Sequence, residues 1–238
     1  MTLDLPVVVL CGGLGTRLRP TVSDRPKALA PVGARSFLEL QLRLLRDRGA
    51  RHFVLCVGHM AEQIEAAFGD GTTLGVRIDY SCDGATLLGT GGALKRAERF
   101  FAPAAFVVNG DTHIDVDLAR LARVHSAARA VATLTLAPTV DASRFGAVDF
   151  VRDRVTGFRE KGTCGSAWVN AGVYVIERDL LARVPAGEPV SLERDVFSNA
   201  LCNGLPLAAF AQEAAFTDIG SPDALRAFVA SREPCHAA

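Results

Sequence analysis

Neither sign of charge prevails in this chain. Its 26 Lys and Arg are matched by 26 Asp and Glu, which excludes a generalised basic field for nucleic acid and leaves room only for a local basic pocket. There is no Cys-x-x-Cys pair among the six cysteines, which stand at positions 11, 56, 82, 164, 202 and 235. Several of them lie inside apolar runs such as residues 53–57, a pattern that reads as buried free thiols in a reducing compartment. The first residues carry neither a basic segment nor a long apolar one. No stretch reaches the roughly 18 apolar residues that a membrane helix needs. Internal repeats, low-complexity tracts and Ser/Gly linkers are also missing. The expectation is a cytoplasmic protein with no nucleic-acid partner and no membrane partner.

What is present is an alternation of short apolar runs with segments of helical period. Residues 5–10 form a β-branched, wholly apolar run, as expected of a strand buried on both faces. A Gly- and Pro-rich loop follows to about residue 35. Ser36-Phe37-Leu38-Glu39 then has the form of a capping box, and Leu38, Leu42 and Leu45 lead to Gly49 as a stop. Strands are expected at 53–57, 76–80 and 105–108, with helices at 61–68 and 93–100 between them. The order β-α-β-α-β-α-β argues for a parallel sheet with helices on both faces. Right-handed crossovers would gather the C-terminal strand ends on one edge, where such sheets bind ligands. Past residue 130 the rhythm turns to strands, at 131–136, 146–151, 155–158 and 167–176. Helices return at 192–201 and 224–230, the last announced by Ser221-Pro222. At 238 residues, the chain reads as a single domain, 1–238. Residues 1 to about 130 would form a nucleotide-binding half and about 131–238 a sugar-phosphate-binding half, sharing one sheet.

The first strand runs into Cys11-Gly12-Gly13-Leu14-Gly15-Thr16-Arg17-Leu18. Glycines there allow the backbone to approach a polyphosphate and turn its N–H groups inward, and Arg17 supplies a planar donor fork for phosphate oxygens. The letters exclude two other phosphate loops. A GxxxxGK[ST] loop needs a Lys that does not follow, and a GxGxxG loop needs a third glycine where Leu18 stands. Next, Lys27 lies between Pro26 and Pro31 on a stiffened loop, where a point charge is well fixed.

These segments resemble the sugar-phosphate nucleotidyltransferases. The family signature GGxGTRLxP…PKxLxP is matched from Gly12 to Pro20 and from Pro26 to Pro31. Weaker matches follow in order at Leu88-Gly89-Thr90-Gly91-Gly92-Ala93, Asn109-Gly110-Asp111, Phe158-Arg159-Glu160-Lys161, Asn170-Ala171-Gly172-Val173-Tyr174 and Asp218-Ile219-Gly220-Ser221-Pro222. The resemblance covers nearly the whole chain. It implies an α/β, Rossmann-like three-layer sandwich around a central mixed, mostly parallel sheet, of the nucleotide-diphospho-sugar transferase type.

The resemblance also implies residue roles. Arg17 and Lys27 would be catalytic, the first holding the triphosphate and departing pyrophosphate, the second neutralising charge at the α-phosphorus. Leu10, Gly12, Gly13, Gly15, Thr16, Gly89, Thr90 and Gly91 would bind the nucleotide. Asn109, Gly110, Glu160, Lys161 and Asn170 would contact the sugar phosphate, and Asp111 and Asp218 would bind Mg²⁺. Nucleotidyl transfer needs in-line positioning and charge neutralisation, and Mg²⁺ takes one or two carboxylates plus phosphates and waters. Taken singly, either Asp is more commonly a cap or turn residue. The five histidines show no metal spacing, and a packing or surface role suits His113 better than a place in the sugar site. With no candidate nucleophile, direct displacement by the sugar phosphate is expected.

Two departures from the family pattern stand out. Cys11 replaces the usual Ala, which suggests sensitivity to thiol reagents, and Ser221 replaces Thr. The partners implied are a nucleoside triphosphate and a sugar 1-phosphate. Family members often dimerise, so a homodimer is an expectation, although no distinctive interface stands out. Short members with these motifs and Ser191-Leu192-Glu193-x-Asp195 look most like the D-glycero-D-manno-heptose 1-phosphate guanylyltransferases, which consume GTP. A uridylyltransferase for an amino-sugar 1-phosphate and a mannose 1-phosphate guanylyltransferase rank behind. A non-catalytic nucleotide-sugar sensor is disfavoured, because such a relative would be expected to lose Arg17, Lys27, Asp111 or Asp218. A NAD-dependent dehydrogenase is disfavoured by the missing glycine.

Overall fold

The computed structural model describes residues 4–18, 22–84, 86–140, 142–143, 145–159 and 165–232. In chain order its strands and helices are β1 (Val7–Leu10), β2 (Pro31–Val32), β3 (Arg35–Ser36), α1 (Phe37–Asp47), β4 (His52–Val57), α2 (Ala61–Phe68), β5 (Arg77–Cys82), α3 (Gly89–Arg96), β6 (Ala104–Asn109), β7 (Thr112–Ile114) and α4 (Leu118–Ala128). There follow β8 (Ala132–Thr139), β9 (Ala147–Val151), β10 (Arg154–Arg159), β11 (Ala167–Glu177), α5 (Arg178–Leu181), a π-helical turn (Leu192–Phe197) running into α6 (Ser198–Cys202), β12 (Leu207–Ala211), β13 (Phe216–Asp218) and α7 (Pro222–Ala230).

One nine-stranded sheet carries the fold, in the order β5-β4-β1-β6-β11-β8-β12-β10-β9. The strands β5, β4, β1 and β6 are mutually parallel, as the βαβ reading requires. The long β11 then enters antiparallel to both β6 and β8, and β12 lies parallel to β8. The sheet is therefore mixed and continuous across both halves of the chain. Because successive side chains of a strand point to opposite faces, β1 feeds two cores. Val7 and Val9 pack with α1, α2 and α4, while Val8 packs with α3, α5 and α6. All three valines are wholly buried. This is why the run carries no polar alternation.

Several elements differ from the expectation. The helix expected at 93–100 begins earlier, at Gly89, and ends in a 3₁₀ turn at Glu98–Phe100. Glycine is tolerated in its first turn because a Cβ on Gly92 would stand 2.5 Å from the Glu188 carbonyl oxygen. The helix expected at 192–201 opens as a π turn. The reading of the sequence placed no element at α4, which Asp117 caps by accepting from Arg120 N, nor at β12 or the two-stranded β7–β13 ribbon. The ribbon is three residues per strand and is defined only by its partner. A third, smaller core joins the ends of the chain: Leu18 and Phe37 pack with Ile219, Leu225 and Phe228.

Candidate active site

The C-terminal ends of β1, β4 and β6 lie side by side, and the loops leaving them build a cavity of about 380 Å³. Strand β1 ends at Leu10, whose carbonyl accepts from Gly110 N at 2.9 Å. Gly110 must be glycine, since a Cβ there would lie 2.7 Å from that same oxygen. On the other side, Cys11 N donates to Cys56 O and His59 N to Gly12 O. A Cβ on Gly12 would stand 2.9 Å from Gly58 N, so only a bare backbone fits between the two strand ends. Gly13, by contrast, has open space where its Cβ would be. Gly15 takes a positive φ of 58° and packs on the Lys27 side chain. The wall of the cavity thus includes Leu10, Gly12, Gly13, Gly15, Thr16 and Arg17 from the first loop, with Gly89 and Thr90 opposite. Lys27, Asn109, Gly110 and Asp111 close it.

Lys27 opens a short 3₁₀ turn (Lys27–Leu29) flanked by extended residues at Pro26 and Ala30. Its Nζ lies 2.7 Å from Asp111 Oδ2, with the lysine side chain 13% exposed. Asp111 sits in the turn between β6 and β7, and that turn is held from below. Gln41, buried on α1, donates through Nε2 to Asn109 O at 2.9 Å and to Thr112 O at 2.6 Å.

Asp218 arrives by a different route. It pairs with Thr112 in the β13–β7 ribbon, and the next residue, Ile219, donates its N–H to Asp111 O at 3.0 Å. Burial first, and then the negative charge of Asp111, raise its carboxyl above the usual carboxylate range; Lys27, Gly220 N–H and Arg17 work against that rise. The Arg17 guanidinium and the Asp218 carboxylate both crowd the site of a Cβ on Gly220, at 2.8 and 2.6 Å. The two aspartates therefore meet, 107 positions apart by residue number, with Lys27 and Arg17 beside them. Two carboxylates brought this close, with the charge of Asp111 adding to the proton affinity of Asp218, suit a hard divalent cation in company with phosphate oxygens. Among the described residues no group of three or more His, Cys, Asp or Glu gathers as a metal cage, so phosphates and waters would complete the set.

Other expected residues are placed elsewhere. Gly91 is not on the cavity wall; its N–H donates to Val190 O at 2.8 Å and its Cα faces Val190 and Val196. That N–H is thus committed to the protein and is not offered to the cavity. Asn170 also lies off the wall, bonded to Tyr174, Glu193 and Gly172. Glu160 and Lys161 lie outside the described residues. His113 is packed between Phe37 and Phe228, with Arg232 donating to its ring 2.9 Å away. Burial and the Arg232 charge push its pKa down to about 4. The structure argues against the thiol sensitivity expected at Cys11. Its Sγ is buried against Cys56 O, and burial, with Asp83 adding to it, pushes the thiol up to about 12.

Among the cavity residues that the sequence reading missed, Asp83 is the charged one. It follows the end of β5, is 8% exposed, and accepts from Leu88 N through Oδ2. Burial raises its pKa. A carboxylate just beyond the last residue of a parallel strand was the available signal.

The nucleotidyl transferase family model matches residues 6–233. The chain is 37% identical over 226 residues to a mannose-1-phosphate guanylyltransferase of Mycobacterium tuberculosis, covering 93% of this chain and 63% of that protein. It is 34% identical over 223 residues to the D-glycero-alpha-D-manno-heptose 1-phosphate guanylyltransferase of Aneurinibacillus thermoaerophilus, covering 93% and 96%. Among solved structures, HddC from Yersinia pseudotuberculosis complexed with GMP-PN superposes with a TM-score of 0.83 at 27% identity, over 95% of this chain and 99% of that one. With the loop, the paired aspartates and the sheet in the same chain, these likenesses decide the matter: the chain belongs to the nucleotidyl transferase family and is an enzyme of the sugar-1-phosphate nucleotidyltransferase class.

Proposed function

We propose that the enzyme transfers a guanylyl group from GTP to a sugar 1-phosphate, with D-glycero-D-manno-heptose 1-phosphate as the favoured acceptor. The observation that carries the choice of base is Asp83. A carboxylate only accepts hydrogen bonds, and the Watson–Crick edge of guanine offers two adjacent donors, N1–H and the 2-amino group. Uracil presents two carbonyls around one N–H, which a buried carboxylate would repel. The GMP-PN complex of the Yersinia protein and the guanylyltransferase relatives point the same way. Mannose 1-phosphate is the second reading for the acceptor, on the 37% identical relative.

In this reading residues 1 to about 130 bind the nucleotide and the remainder the sugar phosphate. The N–H groups of the Gly12–Gly15 loop and the Arg17 fork hold the β- and γ-phosphates. Lys27 neutralises charge that develops at the α-phosphate. An oxygen of the sugar phosphate attacks the α-phosphorus in line, the bond to the bridging oxygen breaks, and pyrophosphate leaves with that electron pair. Burial raises the pKa of Cys11, the thiol on the cavity wall, which disfavours it as a nucleophile. Asp111 and Asp218 are the residues that would hold Mg²⁺, which supplies further charge neutralisation when bound.

The test is a pyrophosphate-release assay over GTP, UTP, CTP, dTTP and ATP, crossed with a panel of sugar 1-phosphates. GTP with the heptose 1-phosphate should give the highest kcat/KM, and Asp83→Asn should narrow the preference for GTP over UTP. Release with UTP and none with GTP would sink the guanylyl reading.

A further inference from the structure

The motif Ser191-Leu192-Glu193 has no part in the nucleotide cavity, yet the fold handles it unusually. It opens a π-helical turn, Leu192–Phe197, rather than an α-helix. Such turns insert a residue and re-aim the side chains around it, and they recur at functional sites. Both ends of the turn's first segment are tied down. Ser191 Oγ accepts from Arg194 N, and Ser191 N donates to Asp195 Oδ2 at 2.7 Å. Leu192 N donates to Thr90 Oγ1 at 2.8 Å, and Thr90 is on the wall of the nucleotide cavity.

The next residue, Glu193, thereby follows directly on a backbone N–H anchored to a residue of that wall. Its Oε1 accepts from Asn170 Nδ2 at 2.8 Å, with the hydroxyl of the wholly buried Tyr174 at 3.5 Å. Asn170 also donates to Tyr174 Oη at 2.8 Å and accepts from Gly172 N through Oδ1 at 3.0 Å. Tyr174 in turn takes a hydrogen bond from the Asn109 side chain, two residues before Asp111. A short polar chain therefore runs from Glu193 through Tyr174 to the end of β6, where the reacting phosphates belong.

We propose that Glu193 recognises a hydroxyl group of the acceptor sugar, and that Asn170 is a positioning residue acting through it. The proposal rests on the sugar 1-phosphate reading above. A carboxylate repels phosphate and accepts from hydroxyls, whereas Lys27 and Arg17 attract phosphate. The two charges of opposite sign thus set one orientation for the sugar phosphate, phosphate toward Lys27 and hydroxyls toward Glu193. Asn170 has its amide hydrogens on Glu193 and Tyr174 and its oxygen on Gly172, so it spends its hydrogen bonds inside the protein.

Steady-state kinetics on Glu193→Gln, Glu193→Ala, Glu193→Asp, Asn170→Ala and the Glu193→Gln/Asn170→Ala double variant tests this, with thermal melting to confirm that each is folded. Glu193→Gln should raise KM for the sugar 1-phosphate about tenfold, the size expected of a hydrogen bond to a charged group. KM for the nucleotide should stay within about twofold, and Glu193→Asp, which keeps the charge, should recover part of the loss. Adding Asn170→Ala to Glu193→Gln should cost little more. Against a panel of deoxy-sugar 1-phosphates, the wild type should discriminate against one analogue that the Gln variant no longer does. An unchanged sugar KM in both the Gln and Ala variants overturns the proposal alone, as does an equal rise in both KM values. A wild type that turns over no sugar 1-phosphate overturns the substrate reading and this one with it.

Discussion

Lys27 Nζ stands 2.7 Å from Asp111 Oδ2, and the two residues are 84 positions apart in the chain. One sits on a 3₁₀ turn in the loop after β1 and the other on the turn after β6, strands that are neighbours in the sheet. The lysine is three-quarters or more shielded and the aspartate only partly so. Each therefore holds the other ready at the mouth of the cavity, before any phosphate arrives.

Removal of that lysine should disable chemistry more than folding. Lys27→Met is expected to lower kcat/KM by about 10²–10³-fold, the size of losing one fixed charge at a developing anion. The thermal midpoint should move by only a few degrees, because the pair is partly solvated. A kcat/KM within threefold of wild type would remove Lys27 from the transfer step.

The clamp beneath Asp111 makes a second prediction. Gln41→Leu leaves the carbonyls of Asn109 and Thr112 without their shared donor, at a cost of roughly 1–3 kcal/mol for buried polar groups. Denaturant unfolding should show that loss. Activity should fall as well, since the turn that carries Asp111 loses its support. A variant as stable and as active as wild type would show that the clamp is idle.

The two adjacent glycines of the phosphate loop should respond differently. Gly12→Ala places a methyl group 2.9 Å from Gly58 N, where backbone faces backbone, and is expected to destabilise the fold and abolish activity. Gly13→Ala meets nothing within 4 Å and its φ is not positive, so the protein should fold with near-normal stability. Melting curves of the two variants decide this, and equal stabilities would contradict the packing described.

Cys11 makes the pH prediction. Its thiol ionises at about 12 in the fold against an ordinary 9.0, so the neutral form is the one that the folded state favours. That contribution is whole below pH 9 and is lost as pH rises from 9 toward 12. Stability should decline over that window, and Cys11→Ala should decline less. At pH 8, iodoacetamide should label the exposed Cys82 and Cys202 well before the buried Cys11 and Cys56, as peptide mapping can show. Prompt alkylation of Cys11 would overturn the burial argument.

Much of the fold is legible in the letters for a local reason. Residues 5–10 announce a doubly buried strand because both faces of β1 meet apolar layers, and Ser36-x-x-Glu39 announces a helix because the cap is made within one turn: Ser36 Oγ does accept from Glu39 N. The ribbon strands β7 and β13 carry no such mark. Each is three residues long, and their pairing depends on a chain reversal of about a hundred residues. Asp83 was passed over for a similar reason. Nothing beside it in the sequence resembles a motif, and its meaning comes from the cavity it lines.

The sequence by itself determined the glycine loop, its strand and the positive charges that follow, because a phosphate cradle is a property of consecutive backbone. It also determined the family, since the motifs recur in a set order along nearly the whole chain. Only the tertiary structure decided that Asp218 joins Asp111, that Gly91 gives its N–H to Val190, and that Cys11 is shielded. Convergence, burial and competing hydrogen bonds are set by what packs against a residue, and those partners come from distant strands.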